Sequence, residues 1–244
     1  MSVTGQPGPT SATGAQALVR RPRATIVIAA YNEAESIAEV VRELIEIYPH
    51  VIVVDDGSED DTAQRARAAG ASVLTHLINR GQGAALQTGV SYALARGAEI
   101  IVTFDADGQH DVADLPELIA PIERGDAEIS LGSRFLSRRE RIPLVRRVVL
   151  RLAVLFMRVT SRVRLSDAHN GLRAFSRRAA SGLDLKLDRM AHASEIVDQV
   201  AASGLPYVEV PVRVRYTDYS LKKGQKSTAA LRVAFDYLMG RLIR

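Results

Sequence analysis

The stretch FDADGQH, residues 104–110, ends a hydrophobic run with two carboxylates and a carboxamide at alternate positions. Side chains two residues apart in an extended chain point the same way, so Asp105 and Asp107 would leave the strand end on one side, with the oxygen of Gln109 nearby. Neighbouring carboxylates repel each other, and an all-oxygen set of this kind suits Mg²⁺ or Mn²⁺. The pattern predicts a divalent-metal site; the alternative is a solvated acidic turn that caps the next helix.

A second acidic stretch, VVDDGSEDDT, follows an earlier apolar run. A turn at Gly57, an N-cap at Ser58 and acids in the first helical turn would explain most of it. They do not explain why the strand itself ends in Asp55 and Asp56. One of these two carboxylates is a candidate acceptor for a nucleobase N–H or a ribose hydroxyl.

Glycines cluster in NRGQGAAL, residues 79–86, at the predicted start of a helix. Backbone N–H groups at such a position can approach a phosphate, although close packing of the helix start is an alternative explanation. The stretch is not a P-loop, and no G-x-G-x-x-G follows the first predicted strand, which argues against a dinucleotide-dependent dehydrogenase.

Strand-like and helix-like patterns alternate through about residue 134. The strand-like runs are continuously apolar, as expected for strands buried on both faces, so we predict an α/β fold with a largely parallel, doubly wound sheet. Ligands bind beyond the carboxyl ends of the strands in such sheets, which gathers the polar residues at one edge. The predicted strands are 24–31, 51–56, 72–77, 98–106 and 127–134, then a short one within 167–180 and one at 207–216, and the predicted helices are 33–48, 58–70, 81–97, 114–125 and 192–203.

Composition narrows the class of protein. The 244 residues include no Cys, which excludes a disulfide scaffold, a thiolate zinc site and a cysteine nucleophile. The formal net charge of +4 favours phosphate-bearing partners. Residues 1–23 are rich in Gly, Pro, Ser and Thr without the apolar core of a signal peptide, so we expect a disordered tail. No apolar run approaches the length of a membrane span.

An arginine-rich segment occupies residues 138–164, with nine Arg and one acid. Its apolar residues fall on one broad helical face, and several arginines fall on the opposite side. Residues 228–244 show a second basic amphipathic pattern. The segment has one Phe and no Tyr or Trp, whereas nucleic-acid binding would predict interleaved aromatics. We therefore expect an anionic membrane surface rather than nucleic acid as its partner; the alternative is that its apolar face covers the sheet.

The order of motifs resembles one known family. AYNEAESI, VVDDGSEDDT, NRGQGAAL, FDADGQH, LGSRF and NGLRAF follow one another as in family 2 glycosyltransferases with a GT-A fold. The form D-A-D-x-Q-H is similar to the branch that makes polyprenyl-phosphate sugars, such as dolichol-phosphate mannose synthases. The resemblance covers about residues 24–216, and it implies a GT-A domain there, followed by a basic loop and a C-terminal amphipathic helix over 217–244.

The resemblance also implies roles for individual residues. Catalytic roles fall to Asp105, Asp107, Arg134 and Arg173; nucleotide-sugar contacts to Ala30, Tyr31, Glu33, Asp56 (through the base), Gly83 and Asp105; metal binding to Asp105, Asp107 and Gln109; and acceptor-phosphate contacts to Ser133, Arg134, Arg147 (or its neighbour Arg146) and Arg173. His110 would lie beside the metal ligands or on the acceptor side. We interpret His169 as a loop histidine and Glu195 as a capping or pairing residue.

The sequence departs from the family pattern at two places. Ala30 replaces the usual proline before Tyr31, and KKGQKST changes the order and spacing of a C-terminal phosphate motif. Roles for Lys223, Lys226 and Ser227 therefore do not carry over.

The function that follows is metal-assisted, inverting transfer of a hexose from a nucleotide-diphosphate sugar to a polyprenyl phosphate. A phosphate acceptor is already an anion near neutral pH, so it needs placement by arginines rather than a strong general base. Location on the cytoplasmic face of the cell membrane, as a peripheral protein of cell-envelope synthesis, follows from that acceptor. There are two alternatives: the same chemistry with a soluble or glycan acceptor, and a non-catalytic binding protein. The sequence leaves open a small integral membrane partner. It is compatible with three donors, GDP-mannose, UDP-glucose and UDP-N-acetylhexosamine.

Overall fold

The computed structural model describes residues 24–136, 165–167, 170–186 and 191–215. The predicted N-terminal tail, the arginine-rich segment with Arg147, His169 and the C-terminal loop and helix lie outside these residues. The division of the chain into those parts therefore stays a prediction. Within the described ranges, no helix is long and apolar enough to cross a membrane.

A seven-stranded sheet forms the centre of the fold, in the order β3-β2-β1-β4-β6-β5-β7. The strands are β1 (Ala24–Ala30), β2 (His50–Asp55), β3 (Ser72–Thr75), β4 (Ile100–Asp105), β5 (Ile129–Ser133), β6 (Arg173–Ser176) and β7 (Tyr207–Pro211). Strands β1 to β4 are parallel to their neighbours among themselves, as is β7 to β5, whereas β6 runs antiparallel between β4 and β5. The prediction of a largely parallel α/β sheet is confirmed.

Helices cover both faces of this sheet, as predicted. They are α1 (Ile37–Ile45), α2 (Thr62–Ala68), α3 (Gln82–Ala95), α4 (Leu115–Glu123) after a 3-10 turn at Val112–Asp114, α5 (Arg177–Ser181) and α6 (Ala191–Ser203). One buried apolar cluster joins α1, α2 and α4 to one face. A second joins α3, α5 and α6 to the other. The continuous apolar runs are thus buried from both sides.

Helix α1 begins at Ile37 and helix α2 at Thr62, each four residues later than the sequence predicts. Ser58 is not an N-cap, because its hydroxyl donates to Asp55 and accepts the Asn32 N–H at 2.9 Å. Asp60 likewise accepts the N–H of Ala34 at 3.2 Å, which ties the loop after β2 to the loop after β1. Helix α2 consequently starts at Thr62. Residues that resemble a helix start are used instead to join two loops at the carboxyl edge of the sheet.

The antiparallel strand β6 has a direct consequence for the site. Its first residue, Arg173, pairs with Thr103 on β4 and with Leu131 on β5. Because β6 runs against its neighbours, its beginning lies at the edge where their carboxyl ends meet. Arg173 therefore reaches the same edge as Asp105, although sequence periodicity does not reveal the strand's direction.

Candidate active site

The Asp105 carboxylate occupies a confined position at the end of β4. His110 Nε2–H donates to Oδ2 at 2.8 Å, and Gln82 at the start of α3 reaches Oδ1 at 3.4 Å. The carboxylate also lies directly over the backbone of Gly171, where an added Cβ would be 2.5 Å from Oδ1 and 2.7 Å from Cγ. Thr103 donates to the Gly171 carbonyl oxygen at 2.7 Å and holds that backbone in place. Asp105 is thus contacted by the loop after β4, by the start of α3 and by the backbone of Gly171.

Cationic neighbours keep Asp105 ionised. Burial alone would raise the pKa of its carboxyl group. The hydrogen bond from His110 and the charges of His110, Arg173 and His192 outweigh that effect and hold the pKa below its usual value. The result is a fixed negative charge at the edge of the sheet.

Asp107 has the opposite shift. Burial and the nearby Asp105 charge, with a smaller contribution from Glu33, raise its pKa to about 6, against the hydrogen bond from the Gln109 N–H at 3.0 Å. A divalent cation bound between the two carboxylates would offset the repulsion that raises the pKa of Asp107. The oxygen-only chemistry of this pair fits a hard divalent ion, and Gln109 follows directly. Among the described residues no three His, Cys, Asp or Glu side chains form a complete cage, so bound ligand or water oxygens must fill the remaining positions.

Arg173 supplies a buried positive charge at this edge. The residue is 3% exposed, and its guanidinium makes no hydrogen bond or close ion pair with the described part of the chain. Burial lowers its pKa to about 10, although the charges of Asp105 and Asp167 oppose that shift. A buried guanidinium with open donors is a binding group for an anion such as phosphate.

Arg134 has a different environment from Arg173. It forms a buried bidentate pair with Asp167, with Nε–Oδ2 and Nη2–Oδ1 distances of 2.7 and 2.9 Å, and its backbone N–H donates to the same carboxylate at 3.1 Å. Ser133 lies 2.6 Å from the Ser166 hydroxyl, and Glu209 binds Ser166 from β7. The structure thus joins the end of β5 to residues 166–167. The predicted acceptor-phosphate roles of Ser133 and Arg134 stay predictions.

Asp56 lies at the end of β2 with little exposed surface. Its Oδ1 accepts from His76 Nδ1–H at 2.7 Å and from the Arg80 N–H at 3.0 Å, and its Oδ2 accepts from the Gly81 N–H at 2.7 Å. Its own N–H donates to the Ala30 carbonyl oxygen at 2.8 Å. Asp56 therefore organises the turn that leads into α3 and stands beside the end of β1.

The remaining donor-side predictions fall at the same carboxyl edge. Tyr31 is 40% exposed, and Glu33 donates its N–H to Thr62 at 2.8 Å. Gly83 is buried in the first turn of α3, the helix whose first side chain, Gln82, contacts Asp105. Their contacts with a nucleotide sugar are not tested by the geometry and stay predictions.

The structure brings Asp105, Asp107 and Arg173 together, with His110 beside Asp105. It also adds residues that sequence reasoning did not single out, namely Gln82, His76, Asp167, Gly171 and His192. The sequence gives little indication of these residues, because the role of each depends on contacts between segments far apart in the chain. Gly171 is the exception, since a glycine just before a candidate site arginine could have suggested close packing.

The seven-stranded, largely parallel α/β fold is that of a GT-A glycosyltransferase. The solved glucosyl-3-phosphoglycerate synthase of Mycobacterium tuberculosis, crystallised with Mn²⁺, UDP-glucose and phosphoglyceric acid, has a similar fold. Its TM-score is 0.61 at 21% identity, over 88% of this chain and 79% of that one. Residues 25–183 match the family described as Glycosyl transferase family 2.

Two curated relatives match over most of their length. The UDP-N-acetylglucosamine–dolichyl-phosphate N-acetylglucosaminyltransferase of Methanococcus voltae is 32% identical, over 88% of this chain and 94% of that protein. The polyprenol monophosphomannose synthase of Mycolicibacterium smegmatis is 30% identical, over 91% of this chain and 89% of that protein. The chain belongs to glycosyl transferase family 2, and the predicted family, fold and enzyme class are confirmed.

Proposed function

We propose that this protein transfers a hexose from a nucleotide-diphosphate sugar to a polyprenyl phosphate with inversion at the anomeric carbon. The observation that carries the proposal is Arg173, a buried guanidinium without a close carboxylate partner among the described residues, beside the Asp105–Asp107 pair. The names of the relatives from Methanococcus voltae and Mycolicibacterium smegmatis point to the same acceptor class, because both refer to polyprenol-type phosphates.

The donor diphosphate would bind through a divalent cation. Asp105 and Asp107 would hold Mg²⁺ or Mn²⁺, with Gln109 as the third protein ligand. The cation would neutralise charge on the departing nucleoside diphosphate. The chain's own contribution is a carboxylate fixed by His110 and Gly171, so the site is preorganised before the donor binds.

The donor nucleoside would bind between the ends of β1 and β2. Ala30, Tyr31 and Glu33 would line its pocket, Asp56 would accept an N–H of the base, and Gly83 would bring the start of α3 near the phosphates. Backbone N–H groups at that helix start favour a phosphate. This places the leaving group next to the acidic pair.

The acceptor needs placement rather than deprotonation. A phosphate monoester carries its nucleophilic oxygen as an anion near neutral pH, so a guanidinium that orients it in line with the anomeric carbon is sufficient. Arg173 is the best placed candidate, with Ser133, Arg134 and Arg147 as further proposed contacts. His110 is not needed as a base and instead holds Asp105.

A polyprenyl-phosphate acceptor also implies that the enzyme binds to a membrane surface. A polyprenyl chain is confined to a membrane, so peripheral binding to the inner, cytoplasmic face of the cell membrane follows. The arginine-rich segment 138–164 is the proposed contact with anionic lipid. A small integral membrane partner would serve the same purpose. Flotation of the full chain with vesicles, with and without anionic lipid, tests the surface; protein that stays in the bottom fraction with both rules it out.

A lipid-extraction assay tests the reaction itself. The full chain is incubated with Mn²⁺, a polyprenyl phosphate and a panel of labelled nucleotide sugars, and label is counted in the organic phase. Label from one donor supports the proposal and names the sugar. Nucleotide release into water without organic label contradicts the acceptor and favours a soluble or glycan one. No product in either phase contradicts the enzymatic proposal and favours a binding role.

Variants connect the result to the site. Asp107→Ala and chelation should each reduce transfer about 100-fold or more, because the metal ligand is lost. Arg173→Met should reduce it by a similar factor of about 100. Arg178→Met is the matched control, since the Arg178 side chain is 74% exposed and lies in α5, beyond the opposite end of β6. Equal losses at Arg173 and Arg178 would contradict the assignment.

A further inference from the structure

Most of the hydrogen-bond acceptor capacity of the Asp56 carboxylate is used by neighbouring N–H groups of the protein. Its carboxylate accepts three N–H groups from the described residues, two on Oδ1 and one on Oδ2. A carboxylate offers about four lone-pair directions in all. The side chain is only 3% exposed, so its opening to solvent is narrow. One acceptor direction, on Oδ2, is left for a ligand.

His76 is the side chain that closes the other oxygen. Its Nδ1–H donates to Asp56 Oδ1, so that nitrogen carries the proton, since a carboxylate only accepts. Its Nε2 lies 3.0 Å from the Thr88 hydroxyl, which is also 3.0 Å from the Ala84 carbonyl oxygen in α3. The ring is 10% exposed and held at both nitrogens. His76 therefore cannot turn aside to free Oδ1 without breaking two hydrogen bonds.

The bases of nucleotide sugars differ in what they present to such a carboxylate. Uracil presents one imide N–H between two carbonyl groups. Guanine presents an imide N–H and an amino N–H side by side, which match a carboxylate with both oxygens open. With Oδ1 closed by His76, the second guanine donor would be buried without an acceptor, and buried unpaired donors are strongly disfavoured.

We propose that His76 makes the donor site selective for a base with a single imide N–H, and hence for uridine diphosphate sugars over guanosine diphosphate sugars. The inference rests on the proposed function, in which Asp56 contacts the donor base. His76 acts as a positioning and specificity-determining residue, because it touches Asp56 rather than the reacting atoms.

Binding of four nucleotides to the full chain tests this selectivity without any turnover. Titration calorimetry with Mn²⁺ should show UDP binding about tenfold or more tightly than GDP. Inosine diphosphate lacks only the amino group of GDP, so it should bind more tightly than GDP. N3-methyl-UDP lacks the imide N–H, so it should bind about tenfold more weakly than UDP. GDP binding as tightly as inosine diphosphate or UDP overturns the inference and leaves the proposed function standing. Binding of none overturns both.

Variants of His76 identify the residue responsible. His76→Leu opens Oδ1, and the ratio of UDP to GDP affinity should fall toward one. His76→Asn keeps an N–H donor near the Nδ1 position and should restore most of the ratio. His50→Leu, at an exposed histidine that starts β2, is the control. An unchanged ratio in a folded His76→Leu protein, or an equal loss in His76→Asn and His76→Leu, contradicts the role. If His76→Leu does not fold, the comparison of GDP with inosine diphosphate in the wild type still decides.

Discussion

Gly171 is the residue through which the backbone fixes the Asp105 carboxylate, and Gly171→Ala tests that role. A Cβ at this position would be 2.5 Å from Asp105 Oδ1, whereas ordinary van der Waals contact begins near 3.4 Å. The carboxylate would have to move by about 1 Å, and misplacement of that size typically costs about 100-fold in rate. Relaxation by the backbone is resisted, because Thr103 binds the Gly171 carbonyl oxygen and His110 binds Asp105. We expect transfer to fall about 100-fold and Mn²⁺ affinity to fall with it.

Stability provides a second readout for the same substitution. Overpacking at a buried position costs about 1–3 kcal/mol, measured by denaturant unfolding of the metal-free protein. If the destabilisation arises from the clash between the new Cβ and the Asp105 carboxylate, it should largely vanish when Gly171→Ala is made together with Asp105→Ala. The two substitutions would then show a coupling free energy of similar size. Gly182→Ala is the matched control, because its Cβ would be an unstrained 3.5 Å from the Ala179 carbonyl oxygen. Wild-type transfer and metal binding in Gly171→Ala would refute the reasoning.

Four further predictions concern the pairing, ionisation and turn geometry around the site. Asp167→Asn should destabilise the protein by about 3–5 kcal/mol, because it removes the buried carboxylate charge that pairs with the Arg134 guanidinium; a loss below about 1 kcal/mol in denaturant unfolding would contradict this. Because the pKa of Asp107 is raised to about 6, Mn²⁺ affinity measured by calorimetry should fall about tenfold per pH unit below that value. The protonated form is the one favoured by folding, so the stability from Asp107 is present at low pH and is lost as the pH rises through about 6. Asp107→Asn should therefore raise the melting temperature of the metal-free protein at about pH 8, and a lowered one would argue against repulsion. Gly57→Ala should lower the melting temperature measurably, because Gly57 has φ +73° and its Cβ would be 2.8 Å from the Ile78 carbonyl carbon; an unchanged melting temperature would contradict this.

Much of the sheet and the acidic edge was predictable from local patterns. Continuous β-branched runs such as residues 51–54 identify strands buried on both faces, and their alternation with helices implies parallel crossovers. Since parallel strands present their carboxyl ends at one edge, the positions of Asp56 and Asp105 relative to one another follow from the same reasoning.

The role of a polar residue within that edge was less predictable. Ser58 matched the pattern of an N-cap, yet its hydroxyl joins the loops after β1 and β2. Arg134 and Arg173 are both buried arginines, and they differ because Asp167 pairs with Arg134, whereas Arg173 makes no hydrogen bond to a side chain in the described part of the chain. No rule of spacing assigns such a partner, because residues 134 and 167 are far apart in the sequence and meet only in the folded chain.

The sequence by itself determined the fold class, the family and the presence of an acidic pair suited to a divalent cation. Each of these follows from residue types and short spacings that are legible along the chain. Only the tertiary structure decided how the carboxylates differ in ionisation, which buried arginine pairs with Asp167, and which oxygen of Asp56 is closed by His76. Those properties depend on burial and on charges contributed by distant segments, and both arise only when the strands and loops have assembled.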